Sequence, residues 1–104
     1  MALRVRVCKL VEVIPDQLTA FAVAGVTWPV IVTIVDGDLV AVPGVCPHED
    51  VGLAGGALYG GAIVCPGHGW AFDLRTGRCK HEPALELRRY PITLVGDDVW
   101  VDLL

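Results

Sequence analysis

The sequence predicts one small all-β domain. Apolar residues make up 54% of its 104 residues, and they recur in short alternating or β-branched runs separated by Gly, Pro and Asp. Nowhere do apolar residues at helical spacing persist for three turns. A chain of this length buries a single core and has no room for a nucleotide-binding domain beside a catalytic one. A self-sufficient oxidoreductase is therefore excluded.

Strands are predicted wherever such a run lies between turn-forming residues. The first run alternates apolar and charged residues, and the later ones are short and rich in Val, Ile, Leu and Ala. In chain order the predicted strands are Leu3 to Val13, Thr19 to Ala24, Val30 to Val35, Leu39 to Val42, Ala62 to Cys65, Ala71 to Leu74, Leu85 to Tyr90, Ile92 to Val95 and Val99 to Leu103.

The connections follow from their turn residues. Asp36-Gly37 and Gly96-Asp97-Asp98 each join two apolar runs with residues that tolerate positive φ, so both are predicted hairpin turns. Asp73 to Gly77 is predicted to be a turn, and Ile14 to Leu18 to be a single helical turn.

The mean hydropathy of +0.58 is high enough that a membrane segment has to be considered. The longest candidate, Ala20 to Val35, has 16 residues and is interrupted by Gly25 and Trp28-Pro29, whereas roughly 20 are needed to span a bilayer. We expect two buried strands there and no membrane segment. The N-terminal residues lack the apolar core of a signal peptide. The expected compartment is the cytoplasm, where the four cysteines should be reduced or metal-bound.

The net charge of the chain indicates which class of partner it can bind. The chain has 8 Lys and Arg against 12 Asp and Glu, a formal net charge of −4. Nucleic acid binding needs clustered basic residues, so it is not expected. A basic protein surface is the expected complement.

The composition changes in the middle of the chain. Nine of the 12 glycines lie between Pro43 and Gly77. Loops this rich in Gly and Pro adopt special backbone conformations, and we expect a bound group to order them. We therefore divide the single domain into a β base, residues 1–43 and 81–104, and an inserted loop-rich unit, residues 44–80.

Two short segments of this insert each pair a thiol with an imidazole. They are Cys46-Pro47-His48 and Cys65-Pro66-Gly67-His68, with 16 residues between His48 and Cys65. Zinc ribbons and zinc fingers usually draw two cysteines from one segment. One Cys and one His from each loop instead suits a two-metal site in which each loop binds both metals. A [2Fe-2S] centre with two Cys on one iron and two His on the other is such a site.

These residues, with the continuation through Gly69-Trp70-Ala71-Phe72-Asp73 to Gly77, resemble the Rieske [2Fe-2S] signature. The tail from Tyr90 to Val101 resembles the closing hairpin of soluble Rieske ferredoxins, including those that serve aromatic-ring oxygenases. The resemblance implies a Rieske-like antiparallel β-sandwich base with an inserted cluster-binding subdomain. It implies that Cys46 and Cys65 bind the inner iron and that His48 and His68 bind the outer one. Trp70 would pack over the cluster and exclude water.

The ligand set predicts one-electron chemistry. Two thiolates and two neutral imidazoles leave the oxidised cluster neutral, so an added electron meets less repulsion than at a four-cysteine cluster. The respiratory Rieske proteins have a disulfide and hydroxyl donors where this chain has Val51, Gly67, Trp70 and Phe72. Fewer donors stabilise the reduced state less, so we expect a potential near the low end of the Rieske range, about −150 mV.

The predicted function is that of an electron-transfer ferredoxin and not an enzyme. It would pass electrons from an NAD(P)H-dependent flavin or iron-sulfur reductase to a terminal oxygenase, docking near His48 and His68. Glu49 and Asp50 would then lie on the docking face and select a basic partner. A mononuclear-iron hydroxylase is excluded because only His81 would remain for its two His ligands.

Two alternatives stay open. One is a Rieske-like small subunit of an assimilatory nitrite reductase, and the other, less favoured, is a structural zinc-binding interaction domain. Cys8 and Cys79 have no neighbour at metal spacing and are expected to be buried without a function. His81 is expected to be exposed or locally hydrogen-bonded.

Overall fold

The structure, a computed structural model, describes residues 3–47, 51–67, 69–82 and 84–103. These residues form antiparallel sheets and two short 3-10 helices, Leu10–Glu12 and Leu53–Gly55, which confirms the all-β prediction. The strands are β1 Arg4–Lys9, β2 Thr19–Phe21, β3 Val30–Val35, β4 Asp38–Pro43, β5 Ala57–Tyr59, β6 Ala62–Val64, β7 Ala71–Asp73, β8 Ile92–Val95 and β9 Asp98–Asp102.

The strands make three sheets of three strands, in the orders β1-β9-β8, β2-β3-β4 and β5-β6-β7. The β2-β3-β4 sheet lies in the middle, because alternate residues of β3 and β4 belong to two different apolar cores. Val30 and Val32 pack with residues of β1 and β9, whereas Ile31 and Val35 pack with the cysteines and apolar residues of the β5-β6-β7 region. The period-2 alternation of a strand therefore gives one sheet two buried faces.

The hairpin turns have the backbone that their sequences predict. Asp36 and Gly37 have φ of 52° and 83°, and this pair of positive values is typical of the two-residue turn that best matches strand twist. Gly96 at the β8-β9 turn has φ of 59°. A third two-residue turn, Gly60-Gly61, joins β5 to β6 with φ of 52° and 81°.

Four local predictions are wrong, and one of them is the strand predicted over Thr19 to Ala24, which ends at Phe21. Leu85 to Tyr90 is not a strand, because its backbone hydrogen bonds go to separate segments: Leu87 N–H donates to Gly77 O, and Tyr90 N–H donates to Ala41 O. Ile14 to Leu18 forms a turn closed by Gln17 N–H donating to Ile14 O, and Asp16 has a positive φ of 59° that no helical turn contains. The predicted first strand ends at Lys9, where the 3-10 helix begins.

The division between a β base and an insert stays a prediction, although the β5-β6-β7 sheet lies wholly within residues 44–80. None of the helices in the described ranges is long and apolar enough to cross a membrane. All four cysteines are buried, and none of them forms a disulfide.

Burial of Cys8 on β1 predicts how the stability of the protein changes at alkaline pH. Burial raises the pKa of the Cys8 thiol above its ordinary value of 9.0, and the Glu12 carboxylate adds to the rise. Above about pH 9 the unfolded chain therefore releases this proton while the folded chain keeps it, so the free energy of unfolding falls as pH rises. In urea unfolding at a series of pH values from about 8 to about 10.5, the stability of the Cys8→Ala variant should fall less steeply than that of the natural protein. Equal slopes would contradict this assignment.

Candidate metal centre

Each of the two predicted ligand cysteines directly precedes a hairpin loop, and the two loops are closed by the same kind of hydrogen bond. Cys46 N–H donates to Val51 O at 2.9 Å, and the neighbouring pair Val45 and Gly52 forms a β-bridge. Cys65 N–H donates to Trp70 O at 2.8 Å, next to the Val64–Ala71 pair of β6 and β7. In each case a cysteine N–H binds the carbonyl five residues later and encloses a four-residue loop.

The two loops have equal length although the Cys–His spacing of the motif differs between them. Residues 47–50 and 66–69 are the two loops, and a proline follows the cysteine in both. The predicted imidazole is the second loop residue in one and the third in the other. In the second loop, Gly69 has φ of 72° and donates its N–H to Cys65 O at 3.0 Å. A residue with positive φ is thus required directly after His68, and glycine supplies it.

The loops are buried at the cysteines and exposed at the tips. Cys46 is 3% exposed and Cys65 is 1% exposed, and both belong to one apolar core with Ile63, Phe72 and Leu74. The described tip residues, Pro47, Pro66, Gly67 and Gly69, are exposed. A group bound between the loops would have a dry thiol side and a side that faces solvent.

The two loops lie side by side. The segment that follows the first loop passes so close to β6 that a methyl group at Gly56 would overlap the Val64 carbonyl oxygen. A methyl group at Gly55 would lie 3.9 Å from Cγ of Pro66, in the second loop. The close approach requires glycine at position 56, whereas position 55 would accept a methyl group in ordinary contact with Pro66. The two thiol-bearing loops lie at one place, with both cysteines in the same core.

The structure therefore places two of the four predicted ligands, Cys46 and Cys65, at the bases of adjacent loops in one core. His48 and His68, with Glu49 and Asp50, lie outside the described residues, so their assignment stays a prediction. The donor chemistry fits a [2Fe-2S] group, because two buried soft thiols suit iron and each loop supplies one of them. Cys8 lies in the other core and Cys79 lies in the same core as Cys46 and Cys65.

Trp70 lies beside the second loop. Its side chain is partly buried against the core that contains both cysteines, and its ring stacks on His81 with centroids 6.2 Å apart and planes 12° apart. His81 also accepts a hydrogen bond at Nδ1 from the Ala71 N–H, at 3.2 Å. The expectation of a locally bonded, exposed His81 is confirmed. Its contact with Trp70 was not predicted, because two residues 11 positions apart give no short-range signal.

A tight turn follows β7. Asp73 Oδ1 accepts from Arg75 N–H, Thr76 Oγ1 accepts from Arg78 N–H, and Gly77 has φ of 84°. The predicted turn at Asp73 to Gly77 is confirmed, and it returns the chain beside β7 so that Phe72 and Cys79 form a bridge. Arg75 also forms an exposed ion pair with Asp36 of the β3-β4 turn.

Residues 4–91 match the family described as the Rieske [2Fe-2S] domain. The ferredoxin component of biphenyl 2,3-dioxygenase from Rhodococcus jostii (strain RHA1) is 35% identical over 99 residues, which cover 94% of this chain and 91% of that protein. The structure of a Sphingomonas yanoikuyae B1 ferredoxin has a TM-score of 0.84 and 28% identity, over 98% of this chain and 100% of that chain. A chain of the complex of reduced oxygenase and oxidized ferredoxin in carbazole 1,9a-dioxygenase has a TM-score of 0.80 and 27% identity, over 95% and 92%.

A nitrite reductase protein shares the fold as well. A Mycobacterium tuberculosis protein described as an NADH-dependent nitrite reductase small subunit has a TM-score of 0.81 at 20% identity, over 100% of this chain and 97% of that chain. At that identity the likeness concerns the fold alone. The curated relative and the matched family agree with the paired thiol loops: this protein carries one Rieske-type [2Fe-2S] cluster, transfers electrons without catalysing a reaction of its own, and belongs to the Rieske [2Fe-2S] domain family.

Proposed function

We propose that this protein is the ferredoxin component of an aromatic-ring oxygenase system, in which it carries single electrons from an NAD(P)H-dependent reductase to the terminal oxygenase. The observation that carries the proposal is the pair of adjacent hairpin loops with buried thiols and exposed tips. A relative of nearly equal length, 35% identical, is named as the ferredoxin component of biphenyl 2,3-dioxygenase. The cytoplasm is the proposed compartment.

In this proposal Cys46 and Cys65 hold the inner iron, and His48 and His68 hold the outer iron. The equal length of the two loops supports the assignment, because each loop then has one cysteine at its buried base and one histidine among its four residues. The bound cluster supplies one-electron transfer. The chain's own residues keep the thiol side dry and leave the other side within reach of a partner.

The potential is proposed to be near the low end of the Rieske range, about −150 mV. Phe72 is fully buried directly across from Ile63 on β6 and offers no hydroxyl to the site. The loops have Val51 and Gly67 where the respiratory proteins have their bridging cysteines, so no disulfide can link them. Each donor or bridge that is absent leaves the added negative charge less stabilised.

The docking surface is proposed to be the tips of the two loops. The described tip residues are small or apolar, and the sequence adds two acidic residues, Glu49 and Asp50, directly after His48. A short distance between donor and acceptor requires a face without bulky side chains at its centre. The two acidic residues of the first loop would favour a basic partner surface.

The docking proposal is tested with the reductase and terminal oxygenase of a biphenyl dioxygenase system as probes. Reversing two charges, with Glu49→Lys and Asp50→Lys together, should slow reduction of the protein by about tenfold at low ionic strength and by less at high salt. The control is Asp97→Lys, an exposed acidic residue of the β8-β9 turn. Stopped-flow absorbance of the cluster measures both. An equal effect of the control and the double variant would contradict docking at the loop tips.

The alternative, a fixed small subunit of a nitrite reductase, predicts a different outcome. Purification from the native cell would then yield a stable complex with a large reductase subunit, and the isolated chain would not exchange electrons with the oxygenase system. A free chain that is reduced and reoxidised in many cycles by the probe proteins supports the carrier.

A further inference from the structure

We propose that His81 is a positioning residue that holds the Trp70 indole against the second cluster loop and thereby limits the access of water to the thiol side of the site. The inference rests on the proposed ligand role of Cys65. It concerns a residue that lies outside both ligand loops and has no place in the ligand motif.

The first support is the position of His81 along β7. After the Asp73 to Gly77 turn the chain runs back beside β7, where Phe72 and Cys79 form a bridge and Lys80 N–H donates to Ala71 O at 2.8 Å. Continued by one residue, the same register places His81 opposite Trp70. The backbone pairing of Cys79 and Lys80 with β7 therefore brings His81 to this site.

The second support is the contact of the imidazole with the backbone. The Ala71 N–H donates to His81 Nδ1 at 3.2 Å, so the side chain replaces the carbonyl that a longer ladder would supply. This contact fixes the direction of the ring, because Nδ1 has to carry the lone pair and face β7. An imidazole with a fixed direction presents one fixed face to its neighbours.

The third support is the stacking itself. The planes of the Trp70 and His81 rings are 12° apart with centroids 6.2 Å apart, the offset parallel arrangement that aromatic pairs favour. Trp70 is partly buried against the core of Cys46 and Cys65, whereas His81 is exposed. The imidazole therefore covers the indole from the solvent side and restricts its outward rotation.

The position of the Trp70 indole affects the site because Trp70 is also the residue whose backbone closes the second loop. Its carbonyl accepts the Cys65 N–H at 2.8 Å, so the residue that stacks on His81 also completes the hairpin of the second loop. If the indole moved outward, water would approach the Cys65 sulfur. Added water stabilises the more negative reduced state of the cluster. It can also hydrolyse the bond between the Cys65 thiolate and the iron.

The test uses three variants of the full cluster-loaded protein. His81→Ala removes the acceptor and the ring, His81→Phe keeps a ring without the acceptor, and His81→Asn keeps an acceptor without the ring. Lys80→Ala, at an exposed neighbouring side chain, is the matched control. The measurements are the midpoint potential, the rate of cluster loss in air, and acrylamide quenching of Trp70 in a background with Trp28→Phe and Trp100→Phe.

We expect His81→Ala to raise the midpoint potential, to speed cluster loss several-fold and to increase quenching of Trp70, with the other two variants between it and the control. Far-UV circular dichroism checks that each variant is folded. Values for His81→Ala equal to those for Lys80→Ala would overturn the inference while leaving the electron-carrier function intact. If the protein instead failed to exchange electrons with any oxygenase system, the proposed function would fail, yet the same three measurements would still decide the role of His81.

Discussion

Replacing Cys65 with serine is expected to abolish stable cluster binding, with loss of nearly all bound iron and sulfide. The side chain is 1% exposed at the base of the second loop, and the harder serine oxygen, which keeps its proton at neutral pH, is a poor ligand for iron. Cys46→Ser should have the same effect from the first loop. Iron and sulfide assays and the visible spectrum of the purified variants measure the result.

Cys79 provides the matched control for this prediction. It lies in the same apolar core and is 4% exposed, and its Sγ accepts a weak hydrogen bond from Glu82 N–H at 3.4 Å. Cys79→Ser should therefore retain the cluster and lose only stability, about 1 to 3 kcal/mol for a buried hydroxyl with poor partners. Equal iron loss in Cys79→Ser and Cys65→Ser would mean that the variants act by unfolding the core and that the ligand assignment is unsupported.

Gly77→Ala is expected to be among the most destabilising single substitutions in the chain. Gly77 has φ of 84°, its N–H donates to Asp73 O, and its carbonyl accepts Leu87 N–H, both at 2.6 Å. A methyl group there would overlap the Leu87 carbonyl oxygen. The left-handed backbone alone costs roughly 1 to 2 kcal/mol for alanine, and the overlap forces one of these backbone hydrogen bonds apart. We expect a total cost of about 3 kcal/mol or more.

Gly37→Ala separates the two contributions. Gly37 has nearly the same φ, 83°, but a methyl group there would meet nothing within 4 Å. It should lower the thermal midpoint by the backbone cost alone, roughly 4 to 8 °C per kcal/mol for a domain of this size. Gly77→Ala should lower it at least twice as far, followed by far-UV circular dichroism and cluster absorbance on loaded protein. Similar shifts for the two variants would show that the close approach to Leu87 is absent.

The strands with correctly predicted bounds are those that end at a turn whose residues favour positive φ. β3 and β8 have the predicted bounds, because the flanking Asp36-Gly37 and Gly96 residues require positive φ. The segment Leu85 to Tyr90 misled the prediction, since its apolar alternation reflects contact with two separate parts of the chain. β5 was missed because Ala57–Tyr59 is too short to show a period, although Gly60-Gly61 before Ala62 was a usable hairpin signal.

For the site, the sequence predicted which cysteines matter but not why their loops meet. Cys46 and Cys65 stand out by their matched Pro and His neighbours, and the structure places both in one core. Gly56 lies against the Val64 carbonyl, and the Trp70 ring stacks on His81. Contacts of this kind join segments that are far apart in the sequence. They depend on how the whole chain packs, and a local motif gives no information about that.

The most direct test of the central claim is low-temperature EPR of the purified protein before and after reduction with dithionite, with iron, sulfide and zinc assayed on the same sample. The account predicts a red-brown protein with two irons and two sulfides per chain, no signal when oxidised, and a rhombic signal with a low average g value after one-electron reduction. A colourless, EPR-silent protein that contains one zinc ion would contradict it and would make this chain a structural interaction domain.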